Sequence, residues 1–165
     1  MLYQVAIHEV PAQTVVCMRS RTTVAGLARV ISGSFAHLYG AAGHLHAKVI
    51  GDPFVIYHEF DAGLVDAEMC VPVDRTDEPP EPIRARMIPG ALVARTSHFG
   101  RYDGVAAAYD ALTAWIAADA YQPVGAFRER FLDGPVDDSG DACVTEVEVA
   151  VDPALELAVA GSWFG

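Results

Sequence analysis

The feature that most constrains the fold is an internal repeat: the chain writes the same pattern twice. Half one runs Thr14-Val15-Val16-Cys17-Met18-Arg19, a helical stretch, Phe54-Val55-Ile56-Tyr57-His58-Glu59-Phe60, then Glu68-Met69-Cys70-Val71-Pro72-Val73. Half two runs Ala91-Leu92-Val93-Ala94-Arg95-Thr96, a helical stretch, Ala126-Phe127-Arg128-Glu129-Arg130-Phe131-Leu132, then Glu146-Val147-Glu148-Val149-Ala150-Val151. Each half reads strand, helix, strand, strand. Acids and prolines from Asp74 to Pro82 suit neither helix nor sheet. The chain therefore divides into module one (1–74), a linker (75–88), module two (89–152) and a tail (153–165).

Spacing places the helices. Val24, Leu27, Ala28, Ile31, Phe35 and Leu38 recur at three and four residues, with Thr22 or Thr23 as cap and Gly40 or Gly43 as stop. Val105, Ala108, Tyr109, Leu112, Trp115 and Ile116 form the second stripe, after the capping residue Asp103 and before Tyr121-Gln122-Pro123. Each stripe can cover one face of a sheet.

The strands locate the unusual residue. Alternation puts Phe54, Ile56, His58 and Phe60 on one face, and Phe127, Glu129 and Phe131 on one face with Arg128 and Arg130 opposed. Superposing Ile56 on Phe127 sets His58 opposite Glu129 across the repeat. Glu146 and Glu148, with Glu68 as the counterpart of Glu146, read as solvated positions on outer strands. A carboxylate between Phe127 and Phe131 is different. Burying an isolated ionised carboxylate costs several kcal/mol, so a partner or a cationic ligand should meet Glu129. It reads either as a satisfied pair with an Arg, a Tyr hydroxyl or His58, kept for packing, or as the floor of a pocket whose charge recognises a cation or whose carboxylate acts as a base.

Other candidates lie near it. Ser97-His98-Phe99-Gly100-Arg101-Tyr102 joins strand to helix, and His98 and Tyr102 would stand at the mouth of a groove. Tyr57, Phe99, Tyr102, Tyr109, Trp115 and Phe127 supply aromatic surface for flat hydrophobic ligands and cation–π contact. Tyr109 and Trp115 fit equally well as core.

Composition excludes several classes. With 22 acids, 11 bases and a net charge of -11, and with ten scattered arginines and a single Lys48, no basic stripe exists for a phosphate backbone, so direct nucleic-acid binding is not expected. Cys17, Cys70 and Cys143 are far apart and lack C-x-x-C spacing, which fits reduced thiols in the cytoplasm and implies no disulfide framework. No basic leader or long apolar run is present, so neither secretion nor a membrane partner is expected. His44-Leu45-His46 lacks a third ligand at metal spacing. No G-x-S-x-G, P-loop or G-x-G-x-x-G occurs, so neither metal nor cofactor is expected.

Taken in order, Pro89-Gly90-Ala91-Leu92-Val93-Ala94, His98-Phe99-Gly100-Arg101-Tyr102, Arg128-Glu129-Arg130-Phe131 and Thr145-Glu146-Val147-Glu148-Val149-Ala150-Val151 resemble the GyrI-like small-molecule-binding domain. That domain is also the effector-binding domain of some multidrug-sensing regulators. The resemblance spans most of residues 1–152. It implies an α+β fold, two pseudo-twofold strand-helix-strand-strand modules in a mostly antiparallel sheet, and two helices lining a central groove. It also implies a ligand-site acid amid aromatics, which falls on Glu129; the family often has Tyr two residues later, where this chain has Phe131. Full regulators carry a DNA-binding region ahead of this domain, whereas this sequence begins at the first strand and looks like a stand-alone sensor or sequestering module.

Three functions follow from the resemblance. The first is a binder of bulky hydrophobic, cationic aromatic compounds, with Glu129, Phe127, Phe131, Ile56, Tyr57, His58, Phe99, Tyr102, Tyr109 and Trp115 as ligand contacts. The second is a hydrolase opening cyclopropane rings of DNA-alkylating natural products, with Glu129 as base and Tyr102, Tyr57 or His98 as proton donor. The third is an acidic protein directed at DNA gyrase.

Overall fold

The computed structural model describes residues 2–132 and 144–153. Cys143, the acids from Asp133 to Asp141 and the tail from residue 154 lie outside the described residues. The fold is α+β. One open antiparallel sheet holds β1 (Val5–Val10), β2 (Gln13–Thr23), β3 (Phe54–Asp61), β4 (Leu64–Pro72), β5 (Arg84–Ile88), β6 (Ala91–Phe99), β7 (Tyr121–Phe131) and β8 (Val144–Pro153) in the order β1-β6-β8-β7-β3-β4-β2-β5. Two helices, α1 (Leu27–Ala42) and α2 (Ala106–Ala118), complete it.

Each half thus has one strand more than its repeat reads. β1 pairs with β6 and β5 with β2, so each half lends its first strand to the edge of the other half's sheet. β5 falls at the end of the expected linker. It is an edge strand whose residues Arg84 to Met87 are exposed, so no hydrophobic alternation marks it.

The two halves meet at the β3/β7 pair, where Phe54, Val55, Ile56 and Tyr57 face Arg130, Glu129, Arg128 and Phe127. One row across the sheet reads Arg19, Glu68, Ile56, then Arg128, Glu148, Arg95. The pseudo-twofold therefore passes through the Ile56/Arg128 pair, and Tyr57 and Glu129, each one residue further along its strand, are equivalents. The superposition of Ile56 on Phe127 is off by one, and such a slip changes the face of every side chain. The counterpart of Glu68 is Glu148, not Glu146, and that of Glu129 is Tyr57, not His58. A bulge between Tyr57 and Glu59 takes His58 out of the ladder.

Both helices lie on the same face. Ile31, Phe35 and Leu38 of α1 pack on Val16, Val55, Met69, Val71 and Phe131, while Ala108, Leu112 and Ile116 of α2 pack on Ala94, Val147 and Val149. Full burial of side chains such as Phe35 or Leu112 contributes about 1.5 to 3 kcal/mol each. Thr23 accepts the Gly26 N–H at 3.1 Å, so it caps the turn ahead of α1, which starts at Leu27. Asp103 caps nothing: α2 follows a 3₁₀ turn over Tyr102–Gly104 and has no side-chain cap. The β3–β4 hairpin turns on Ala62 and Gly63, both at positive φ, as a two-residue primed turn requires.

The other face carries Val15, Cys17, Phe54, Ile56, Cys70 and Ile88 together with the charged row. Here the expectation of solvated glutamates is overturned. Glu148 is fully buried, with Arg95 Nη2 at 2.6 Å and Arg130 Nη2 at 3.4 Å; Glu146 also reaches Arg95, at 3.3 Å. Glu68 is buried against Arg86 and His58. Strand alternation assigns residues to faces but does not say whether a face is covered. No helix among the described residues is long and apolar enough to cross a membrane.

Candidate functional site

A groove of about 620 Å³ opens on the helix face at the β3/β7 junction. Tyr57 and Phe60 of β3 and Ala126, Phe127 and Glu129 of β7 form its floor; Leu27 at the start of α1, Tyr102, and Val105, Ala106, Tyr109 and Asp110 around the start of α2 form its walls. Glu129 reaches it because it is cross-strand to Val55 on one side and Val147 on the other, both helix-face core residues.

The Glu129 carboxylate is held entirely by tyrosines. Tyr57 donates to Oε1 at 3.0 Å, Tyr102 donates to the same oxygen at 2.5 Å, and Tyr109 donates to Oε2. The hydroxyls of Tyr57 and Tyr102 are themselves 3.3 Å apart. Three neutral donors stabilise the anion but bring no positive charge. Among the described residues no Lys, Arg or His forms an ion pair with Glu129, and Asp110 and Glu59 at the groove add negative charge. Burial raises the Glu129 pKa above the ordinary 4.5, against the opposing pull of the three hydroxyls. The three phenols are pushed far up by burial and by the charge of Glu129, so they remain protonated donors.

The arrangement can take an aromatic ligand against Tyr57, Tyr109 and Phe127 and offer a buried, uncompensated carboxylate beneath it. Phe127 is positioned by a tilted contact with Tyr109 at 5.5 Å. Phe60 is 62% exposed and presents an open aromatic face at one end.

Several sequence candidates lie elsewhere. Ile56 is buried on the opposite face. Phe131 is core, edge-on to Phe35 at 6.2 Å and to Tyr102 at 6.1 Å, and the hydroxyls at Glu129 come from Tyr57, Tyr102 and Tyr109. Trp115 stacks on Tyr121 at 5.9 Å near the end of α2. Phe99 lines a depression with Leu2, His8, Arg95 and Glu146, away from the groove. His58 touches the rim, but its Nε2 is 2.7 Å from Glu68 Oε1.

His98 is no proton donor to the groove. It is buried, its Nε2 donates to the Arg101 carbonyl at 2.7 Å, and its Nδ1 accepts from the Tyr3 hydroxyl at 2.8 Å, an assignment of tautomer that the carbonyl dictates. It ties down the loop that carries Tyr102, where Gly100 takes a φ of +112°.

Sequence reasoning missed Leu27, Glu59, Phe60, Val105, Ala106, Asp110 and Ala126. Four of these had a signal: Val105, Ala106 and Asp110 lie beside the candidate Tyr109 at the start of the second helix, and Ala126 borders Phe127.

The sequence profile of the GyrI-like small molecule binding domain matches residues 3–152. No curated protein sequence matches the chain. Among solved structures, the chain is similar to EcmrR in its complex with DNA, with 25% identity and a TM-score of 0.80 over 93% of this chain and 59% of that one. It therefore spans about three-fifths of that relative's length. The separate EcmrR C-terminal domain is covered in full at 24% identity and a TM-score of 0.76. SAV2435 bound to tetraphenylphosphonium shares the fold at 17% identity and a TM-score of 0.56, over 92% of this chain and 94% of that one.

Proposed function

The chain belongs to the GyrI-like small-molecule-binding family, and from that premise we propose that its groove binds bulky, hydrophobic, cationic aromatic compounds in the cytoplasm, for multidrug sensing or sequestration. One observation carries the reading: Glu129 is a buried carboxylate with three tyrosine donors and no cationic side chain. A site built that way leaves the neutralising charge to the ligand, because burying an unpaired anion is costly and a cation placed there recovers Coulomb energy in a low dielectric. The surrounding aromatic rings suit delocalised cations, which shed water easily. Tetraphenylphosphonium, the compound bound by SAV2435, is a molecule of this kind. The partner on this reading is the small molecule, and the domain makes no nucleic-acid contact of its own.

Isothermal titration with tetraphenylphosphonium and with neutral triphenylphosphine oxide tests it. The cation should bind and the neutral compound should bind far more weakly. Equal affinities would remove the charge from the explanation.

A hydrolytic reading has one observation in its favour: Tyr102 and Glu129 form a short acid–carboxylate pair in the groove. Incubation with a cyclopropane-containing alkylating natural product, followed by mass spectrometry, should show ring-opened product if it holds; no turnover above buffer discards it.

A further inference from the structure

Cys17 and Cys70 are distant in sequence and adjacent in the sheet. They are direct cross-strand partners in the antiparallel β2/β4 pair, both are buried, and both are free thiols. The Cys70 thiol donates to the Glu68 carbonyl at 3.8 Å, and the Glu68 carboxylate is held by the Arg86 guanidinium at 2.6 and 2.8 Å. Nothing in the groove uses them, because they lie on the opposite face with Phe54, Ile56 and Ile88.

From this juxtaposition we propose that Cys17 and Cys70 form a reversible, oxidant-driven disulfide between β2 and β4. Directly opposed residues of an antiparallel pair have Cβ atoms roughly 4.5–5.5 Å apart, and a disulfide needs about 3.5–4.5 Å. The strands must close by a fraction of an ångström to over one, which leaves the bond strained, and strained disulfides are the readily reduced ones. The pair is therefore a dithiol under cytosolic conditions and a disulfide only under oxidant.

The chemistry balances with hydrogen peroxide as oxidant. The Cys17 sulfur attacks one peroxide oxygen, giving a sulfenic acid and water. The Cys70 sulfur then displaces the hydroxyl of that sulfenic acid, forming the S–S bond and releasing a second water. Cys17 is the attacking group because β2 lies next to the edge strand, whereas Cys70 on β4 lies one strand further in. Access comes from the sheet edge: on its other side Cys17 faces Arg84, the first residue of the short, largely exposed edge strand β5. Fraying of such a strand is among the easiest local openings in a fold.

The test is peroxide treatment of the native protein, trapping of remaining thiols with iodoacetamide, and peptide mapping without reductant. A Cys17–Cys70 linked peptide should appear, lighter by two hydrogen atoms than its reduced parts, and dithiothreitol should remove it. C143S should still form it, and C17S and C70S should not. Because the mapping is done on the unsubstituted protein, a poorly folding variant does not obscure the answer. The proposal is overturned if the link forms only in denaturant, or if peroxide carries either cysteine to a sulfinic acid with no link.

Discussion

Tyr57 and Glu129 occupy equivalent positions on the two central strands and hydrogen-bond to each other across the pseudo-twofold, hydroxyl to Oε1 at 3.0 Å. The repeat thus supplies a donor from one half and an acceptor from the other at the floor of the groove. Symmetry brings the two strands together, and the difference between them makes the site.

Replacing Glu129 with Gln keeps the shape and removes the charge. Affinity for tetraphenylphosphonium should fall by about 1 to 3 kcal/mol, while a neutral aromatic probe changes little. Paired calorimetric titrations of both probes against both proteins measure the difference. A uniform loss would point to distorted packing rather than a lost charge.

Binding of the cation should strengthen as pH rises. Burial raises the Glu129 pKa above 4.5, so the carboxyl is increasingly protonated as pH falls through the raised value and then offers the ligand no charge. The unliganded fold behaves in the opposite sense: a raised carboxyl pKa favours folding when protonated, and that contribution is lost as pH climbs through the folded value. Titrations and thermal melts at a series of pH values from below the ordinary 4.5 upward should show the two opposite trends. The Glu129→Gln variant should lose both.

Tyr109→Phe removes the single hydroxyl bonded to Oε2 and leaves the ring contact with Phe127. The cost at neutral pH should be about 1 to 3 kcal/mol, the penalty for an unsatisfied buried acceptor. It should shrink at low pH, where a protonated Glu129 needs fewer donors. Chemical denaturation at two pH values checks it, and an equal loss at both would mean the hydroxyl serves something other than the carboxylate.

How much of this could be read from sequence depends on what each residue's neighbours are. Glu129 stood out because Phe127 and Phe131 flank it on one strand, and period-two alternation is local. A Tyr hydroxyl was one of the partners expected for Glu129, but which tyrosines and how many could not be read, because Tyr57, Tyr102 and Tyr109 come from a strand, a turn and a helix whose meeting is set by the β3/β7 register. The helices were legible from their stripes. β5 was not, since Arg84 to Met87 are exposed and carry no such stripe; β1 has one in Val5 and Ile7, but a six-residue strand whose partner lies in the other half of the chain does not announce its place. Cys17 and Cys70 looked unrelated for the same reason.

The charged row on the opposite face makes the last prediction. Glu148 is fully buried and meets the guanidinium groups of Arg95 and Arg130, while Arg128, its direct cross-strand partner, has its pKa lowered by burial and partly restored by the charge of Glu148. Replacing Glu148 with Gln leaves Arg128 and Arg130 without their buried anion and Arg95 with Glu146 alone. Breaking a buried ion pair from one side costs about 3 to 5 kcal/mol, so urea denaturation should show a loss of that size. The exposed pair Arg21–Glu59, at 3.3 Å, is the control, and Glu59→Gln should cost less than about 1 kcal/mol. If the unpaired positive charge is the cause, adding Arg95→Met to Glu148→Gln should recover part of the loss, whereas a pure packing defect would make the double variant worse than either single one.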